Sequence, residues 1–229
     1  MANGRGRKAA RVVAEPRVTE VRLPPLEPFG GGELEADGDY DGVEFGGLDL
    51  GGQRGAGARF IDCALRECAL GGTALTGARF VDSVLQGVRG VGTDLAGASL
   101  RDVEVREARL GGLQLHGGVL TGVLVKGGKL DYANLREARL TDVVFEGCVL
   151  TEADFGGARL ERVAFRDCVL RAVDFSGVRM ADVDLRDAAE LDIARGVERL
   201  AGAVVRPSQL MELAPAFAAQ SGLRVADGP

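Results

Sequence analysis

Catalytic and metal-binding side chains are scarce in this sequence. Its single histidine, His116, has Gly117 and Gly118 as neighbours, so no Ser-His-Asp or Cys-His set can be assembled around it. The four cysteines form no C-x-x-C pair and have no partner histidine, which argues against a zinc site or a disulfide framework. The glycines near Lys126 and Lys129 do not match the phosphate-loop pattern. The sequence therefore predicts a protein that is not an enzyme and uses no metal or other cofactor.

Long apolar runs and a surplus of positive charge are also missing. No run approaches the roughly 18 apolar residues of a membrane helix, and residues 1–16 lack the apolar core of a secretion signal. With 28 Lys and Arg against 34 Asp and Glu, the net charge is −6. Direct nucleic-acid binding is not expected, because it needs clustered Lys and Arg to neutralise phosphates. These absences favour a cytoplasmic protein.

A five-residue rhythm runs through the chain from Phe45 to Leu185. At every fifth position an aliphatic, Phe or Met side chain returns, and of 29 such positions only Gly55 and Gly90 are exceptions. An α-helix would bring apolar residues back at three and four positions, and a flat strand at two. The rhythm therefore predicts a repeat structure that is neither an α-helix nor a flat strand.

Two further positions of the five-residue unit are restricted. The position two residues before each central apolar residue is mostly small, and all four cysteines fall there, so they are interpreted as small buried thiols. The position two residues after the centre is Gly in 15 units and acidic in 11, otherwise Tyr132, Arg162 or Ala172. Gly permits positive φ and Asp tolerates turns, so a tight turn is predicted in each unit.

The unit resembles the A-(D/N)-L-x-x consensus of the pentapeptide repeat family. Ala133-Asn134-Leu135-Arg136-Glu137 and Ala153-Asp154-Phe155-Gly156-Gly157 match it almost letter for letter. The resemblance covers residues 40–187 and implies an all-β fold, a right-handed quadrilateral parallel β-helix with 20 residues per coil. About seven coils are then expected.

Residues 20 apart should then stack in columns, and the sequence shows such columns. Phe60 would lie under Phe80 and Phe145 under Phe165. A column of arginines beside a column of aspartates, together called the charged double column, is interpreted either as a ladder of exposed salt bridges or as a surface that binds a partner. A second, apolar column, interrupted by Glu104, is interpreted either as strand-favouring residues or as a contact surface. The charged column contains Arg59, Asp62, Arg79, Asp82, Asp102, Arg139, Asp142, Arg159, Arg179 and Asp182, and the apolar one Ala64, Val84, Leu124, Val144 and Ala164, with Val149 and Val169 beside it.

Four segments are predicted. Residues 1–17 form a disordered basic tail, 18–39 an N-terminal cap and loop, 40–187 the repeat, and 188–229 a final wrap and a helical cap. Pro207 suits the first turn of the helix, and Pro215 predicts a kink or two short helices. The helix is expected either to cap the rod or to join two rods in a homodimer through Leu210, Leu213, Ala214 and Phe217.

Two functions remain open. The first is a non-enzymatic interaction scaffold for an unidentified protein partner. The second is implied by the resemblance, since some members of the family are bacterial quinolone-resistance proteins whose acidic surface imitates DNA and binds DNA gyrase or topoisomerase IV. Between Asp41 and Asp187, however, 22 acidic residues stand among 18 basic ones, which disfavours a surface of one sign.

Overall fold

The computed structural model describes residues 13–224, which form a four-sided coil of parallel strands closed by one helix. Most of the predicted tail, residues 1–12, lies outside the described residues. The strands are β1 Glu27–Pro28, β2 Asp39–Asp41, β3 Val43–Gly46, β4 Arg59–Ile61, β5 Ala64–Arg66, β6 Arg79–Val81, β7 Val84–Gln86, β8 Arg89–Val91, β9 Ser99–Arg101, β10 Glu104–Arg106, β11 Arg109–Gly111, β12 Val119–Lys126, β13 Arg139–Glu146, β14 Val149–Thr151, β15 Arg159–Arg166, β16 Val169–Asp174, β17 Arg179–Asp184, β18 Glu190–Arg195 and β19 Ala203–Val204.

The 20-residue coil is confirmed by the strand register. Phe60 pairs with Phe80, Leu120 with Leu140, and nearly every other partner along the rod is also 20 residues away. One side stacks ten strands in the order β1-β3-β5-β7-β10-β12-β13-β15-β17-β19. The structure therefore has about nine turns rather than seven, because β1 and β19 extend the stack beyond residues 40–187. At about 4.8 Å per step the stack is roughly 43 Å long.

Stacked aromatic rings fill the core at both ends of the rod. The rings of Phe60 and Phe80 are 4.5 Å apart and almost parallel, and those of Phe145 and Phe165 are 5.0 Å apart. Between these stacks the central residues other than Gly90 are Leu and Val, and they enclose a small apolar cavity of about 50 Å³. The apolar central residues are thus all buried, as the rhythm predicts.

Small polar side chains support the wall from inside. The hydroxyls of Thr73 and Thr93 donate to the carbonyls of Leu50 and Leu70, 23 residues earlier, at 2.8 and 2.7 Å. All four cysteines are buried, free thiols at equivalent positions. Burial is the main cause that raises the pKa of Cys63 and Cys68, which keeps them protonated.

The corners of the coil have left-handed backbone, as the turn position predicts. Among residues 13–224, fourteen residues other than glycine have positive φ, and most of them are Asp or Glu. Even Tyr132, Arg162 and Ala172, the three exceptions in the sequence pattern, have φ of 57°, 51° and 49°. The coil thus imposes this conformation on whichever residue occupies a corner.

The two glycines that interrupt the rhythm are accommodated differently. A Cβ on Gly55 would lie 3.3 Å from the Cβ of Leu34, a residue of the preceding loop whose buried side chain enters the core there. A Cβ on Gly90 would lie 2.7 Å from the carbonyl carbon of Leu70 and 2.8 Å from the nitrogen of Gly71. The first glycine makes room for a side chain, and the second permits close backbone approach.

Residues 13–26, named the strap here, extend along the side of the rod. The backbone N–H of Arg17 donates to Asp142, and that of Val21 donates to Glu104, at 3.0 and 2.8 Å. Strand β1 then joins the first coil through pairing with Val43–Gly46. Residues 18–26 of the predicted N-terminal cap therefore lie along the side of the rod, and strand pairing begins at β1.

The C-terminal end of the rod is closed by an irregular wrap and a helix. Strand β18 is shifted by one residue, so that Val169 pairs with Glu190. A short 3-10 helix η1, Val197–Arg199, precedes β19, and helix α1 follows at Pro207–Gln220. Two short helices separated at Pro215 are not observed, because α1 is one continuous helix containing that proline, and the kink stays a prediction.

Substitution of Gly90 tests the close backbone approach. Gly90→Ala should destabilise the rod by about 1–3 kcal/mol, because the added Cβ meets backbone atoms that cannot rotate away. Gly71→Ala is the matched control, since its Cβ would have no neighbour nearer than 3.9 Å, and it should change stability by less than about 0.5 kcal/mol. Equal denaturant midpoints for the two variants would contradict the tight contact.

Candidate interaction surfaces

Two neighbouring sides of the rod contain the columns that the sequence predicts. The arginine face is the side that contains the Arg59–Ile61 and Arg79–Val81 strands and continues through the first halves of β12, β13, β15 and β17. The strap face is the next side, formed by Ala64–Arg66, Val84–Gln86 and the strands stacked on them. The corner between the two faces carries Asp62 and its counterparts in the later coils.

The arginine face presents an exposed basic column. Arg139, Arg159 and Arg179 pair in register on successive coils, and Arg59 pairs with Arg79 in the same way. Arg59 also lies 3.3 Å from Asp39. Between residues 13 and 224, the other four arginines have no ion pair. The interpretation as a ladder of salt bridges between Arg and Asp columns is therefore not supported by the geometry.

Four aspartates of the double column, Asp62, Asp82, Asp102 and Asp142, face the strap instead. Asp142 accepts a bidentate pair from the Arg162 guanidinium at 2.7 and 2.9 Å, besides the N–H of Arg17. The hydrogen bonds from Arg162 are the main cause that lowers the pKa of Asp142. A recess of about 300 Å³ is lined by Thr19, Glu20, Val21, Arg22, Asp62, Asp82 and Asp102.

Stacking of carboxylates leaves a chemical signature at the start of this corner. The pKa of Asp62 is raised, first by burial and then by the negative charges of Asp82 and Asp41. Like charges on adjacent coils disfavour ionisation. The corner is therefore an acidic ridge that favours a cation, and Arg22 of the strap lies beside it.

The apolar column lies on the strap face and is largely covered. Val84 and Val144 are only 6% and 3% exposed, and Leu124 is partly buried. Val18 and Thr19 of the strap line a groove with Leu124 and Val144. Ala64 and Ala164 of the same column are buried as well. The chain's own N-terminal segment thus covers much of the surface that the sequence suggested for contact with a partner.

Glu104, which interrupts the apolar column, anchors the strap. Its side chain is 1% exposed, and it accepts the N–H of Val21 at 2.8 Å and the Nε–H of Arg106 at 2.6 Å. Sequence reasoning treated Glu104 as an interruption and missed this role. The sequence did contain a signal for this role, which is a single carboxylate within an outward-facing apolar column. A buried charge requires hydrogen-bonding or ionic partners, so such a residue indicates a contact with another segment.

The remaining predicted residues lie elsewhere on the surface. Val149 and Val169 are partly buried on the side after the strap face, where they pair in register. In helix α1, Leu213 is 4% exposed and Phe217 packs against the core, whereas Leu210 is 50% exposed. The helix therefore contacts the rod through one side, and dimerisation through Leu210 and Ala214 stays a prediction.

A site for metal or membrane insertion does not emerge from the described part of the chain. Within residues 13–224, no group of three or more His, Cys, Asp or Glu could hold a metal ion. Over the same residues, no helix has the length and apolar character needed to cross a membrane. His116 is exposed at the surface.

The stacked coils, left-handed corners and 20-residue register define a quadrilateral parallel β-helix. The family described as "Pentapeptide repeat region" matches residues 58–135 and 129–192. The chain therefore belongs to the pentapeptide repeat family. A comparison with curated proteins finds no match.

Solved structures of the same fold are similar to the chain at low identity. One is trypsin-treated QnrB1, a plasmid-mediated fluoroquinolone resistance protein, with 18% identity over 84% of this chain and 93% of that chain, and a TM-score of 0.31. Another is HetL of the cyanobacterium Nostoc sp. strain PCC 7120, involved in heterocyst differentiation regulation, with 21% identity over 76% and 92% and a TM-score of 0.35. Rfr23 of Cyanothece 51142 has 16% identity over 70% and 88% and a TM-score of 0.19.

The bidentate Asp142–Arg162 pair predicts a pH-dependent contribution to stability. A carboxylate whose pKa is lowered in the folded state stabilises the protein at pH values above its ordinary pKa of 3.8. This stabilisation is lost as the pH falls toward the lowered pKa. Asp142→Asn should therefore lower the melting temperature at pH 7, and the difference from wild type should shrink below about pH 4.

Asp102→Asn is the control, because it makes the same change in the same corner column, where no guanidinium pairs with the side chain among residues 13–224. It should shift the melting temperature less at pH 7. A difference for Asp142→Asn that stays constant from pH 7 to pH 3 would contradict the proposed ionic contribution.

Proposed function

We propose that this protein is a non-enzymatic interaction rod whose arginine face binds an acidic surface of a partner protein. The observation that carries the proposal is the exposed, in-register stack of Arg139, Arg159 and Arg179, none of which forms an ion pair among the described residues. Arg101 continues the basic character of the face between its two arginine blocks. A partner that supplies carboxylates would complete this column.

The energetics of the stack favour binding over stabilisation. Guanidinium groups on adjacent coils, with backbones about 4.8 Å apart, repel each other. The rod would gain rather than lose stability if these positions alternated in charge. A complementary acidic partner relieves the repulsion and orients the encounter.

The surroundings of the arginines favour a protein partner over nucleic acid. The acidic ridge of Asp62, Asp82 and Asp102 borders the arginine face on one side. On the other side, Glu137 occupies the corner before Arg139. Because phosphates follow each other along a nucleic-acid backbone, the flanking carboxylates would repel part of it. A narrower acidic protein segment avoids them.

Charge reversal on the arginine face tests the proposal. The double variant Arg139→Glu, Arg179→Glu should lose the partner that wild-type protein captures from its native cell, because two attractive contacts become repulsive. The control Arg89→Glu, Arg109→Glu makes the same charge change on a different side, where these residues are also exposed and paired in register. It should retain the partner in quantitative mass spectrometry of captured proteins.

Two results would contradict the proposal. One is equal capture of the same partner by both double variants, which would place the contact elsewhere. The other is saturable binding of duplex DNA or RNA by the wild type that the face variant abolishes.

The alternative is an acidic imitation of DNA that binds DNA gyrase or topoisomerase IV. The stack of Asp62, Asp82 and Asp102 is the feature that favours it, because these carboxylates follow one another on successive coils. The ridge is one corner wide, however, and it lies between the basic column of Arg59 and Arg79 and the strap. This alternation of acidic and basic columns supports an interaction scaffold better than an imitation of DNA.

A supercoiling assay separates the two functions. Purified protein in excess should leave the supercoiling activity of gyrase unchanged, with or without a quinolone, because the described part of the chain presents no wide acidic face. A boiled sample of the same protein controls for buffer effects. Inhibition of supercoiling, or protection of gyrase from the quinolone, would favour the alternative.

A further inference from the structure

The strap face is built as a groove with an apolar floor and a charged anchor. Val84, Leu124 and Val144 form the floor, and Glu104 lies among them with its carboxylate almost wholly buried. Among the residues that the structure describes, the corresponding outward-facing side chains on the other sides of the rod are exposed or only partly buried. The arrangement combines apolar contact with one fixed hydrogen-bond acceptor, as ligand sites do.

The two rims of the groove differ in charge. The acidic ridge borders one side, and Arg106, Lys126 and Arg166 border the other. Arg106 pairs with Glu104 and Lys126 with Glu146, which leaves Arg166 as the unpaired cation of this rim within residues 13–224. Over the same residues, Asp62, Asp82 and Asp102 all lack a paired cationic side chain. The unneutralised acidic rim selects for basic side chains in whatever lies in the groove.

The strap matches this chemistry. Val18 and Val21 are partly buried toward the rod. The backbone N–H of Arg17 donates to Asp142, and Arg22, which pairs with Glu20 of the strap at 3.7 Å, lines the recess beside Asp82. Apolar residues recur every two or three positions, at Val13, Pro16, Val18, Val21, Leu23 and Leu26.

The strap is held much less firmly than a strand of the coil. Only the N–H groups of Arg17 and Val21 bond to the rod from residues 13–26, both through side chains, and no strand pairing forms before Glu27. No strap residue is fully buried, and an open groove of about 690 Å³ remains beside Val18, Thr19 and Glu20. Segments with so few buried contacts open at low free-energy cost.

We propose that the strap face is a peptide-binding site that accepts an extended segment of a second protein, with apolar residues two or three positions apart and basic residues toward the acidic ridge. Residues 13–26 occupy this site as an exchangeable intramolecular ligand. The partner segment replaces the strap on Val84, Leu124 and Val144 and donates a backbone N–H to Glu104. This site is on a different side from the arginine face and does not depend on the function proposed for that face.

The test uses a labelled synthetic peptide with the sequence of residues 13–26 as the probe. The protein is the full chain with Val18→Asp and Val21→Asp, which weakens the strap and leaves the groove intact. Its apparent Kd for the probe should be at least about tenfold lower than that of wild type, because the bound strap reduces the fraction of open sites. Fluorescence anisotropy measures both values.

Two controls define the site. Adding Leu124→Asp to the strap variant should abolish binding, because it places a charge on the apolar floor. A probe in which Arg17 and Arg22 are both replaced by glutamate should bind at least about tenfold more weakly, since it meets the acidic ridge with like charge. Circular dichroism and melting of each protein variant should match the wild type, which shows that the coil is intact.

Three outcomes would overturn the proposal. The first is the absence of saturable probe binding to a correctly folded strap variant. The second is binding that Leu124→Asp leaves unchanged. The third is a wild-type dimer in light scattering that the strap variant lacks, because the strap of a second copy would then be the occupant.

Discussion

The structure depends on one constraint, which is that each residue stacks on the residue 20 positions away. Parallel backbone pairing joins successive coils on every side, and central side chains such as Phe60 and Phe80 stack across it. Because the coil turns at four corners in each turn, corner residues must adopt left-handed backbone whatever their side chain, as Ala172 does. Interior, corner and outer surface are therefore specified by the same register.

That register also determines what the surface can recognise. A side chain repeated every 20 residues becomes a column, so Arg139, Arg159 and Arg179 form a basic column without any contact between distant parts of the chain. The corner aspartates become an acidic ridge by the same rule. The strap face differs, because its groove is completed by residues 13–26, far from Glu104 and Asp142 in sequence.

The interior could be predicted from the sequence because every rule for it is local and repeated. Central apolar positions, small positions and turn positions each recur every five residues, and the structure confirms them. The extra turns were missed because Glu27–Pro28 and Ala203–Val204 lie outside the rhythm, and Gln209 of the final helix joins the rod by a bond from its side-chain amide to the Leu185 carbonyl. The strap was missed because its contacts span 83 and 125 residues, where no periodicity indicates the partner.

Amide hydrogen exchange followed by mass spectrometry tests the central claim most directly, which is that one continuous 20-residue register holds the rod while the strap lies outside it. Peptides from coils at both ends and in the Leu- and Val-rich middle should exchange slowly and alike, because most of their amides bond to adjacent coils. Residues 13–26 should exchange much faster, since only two of their N–H groups bond to the rod. Rapid exchange in the middle coils, or a strap as protected as they are, would contradict this account.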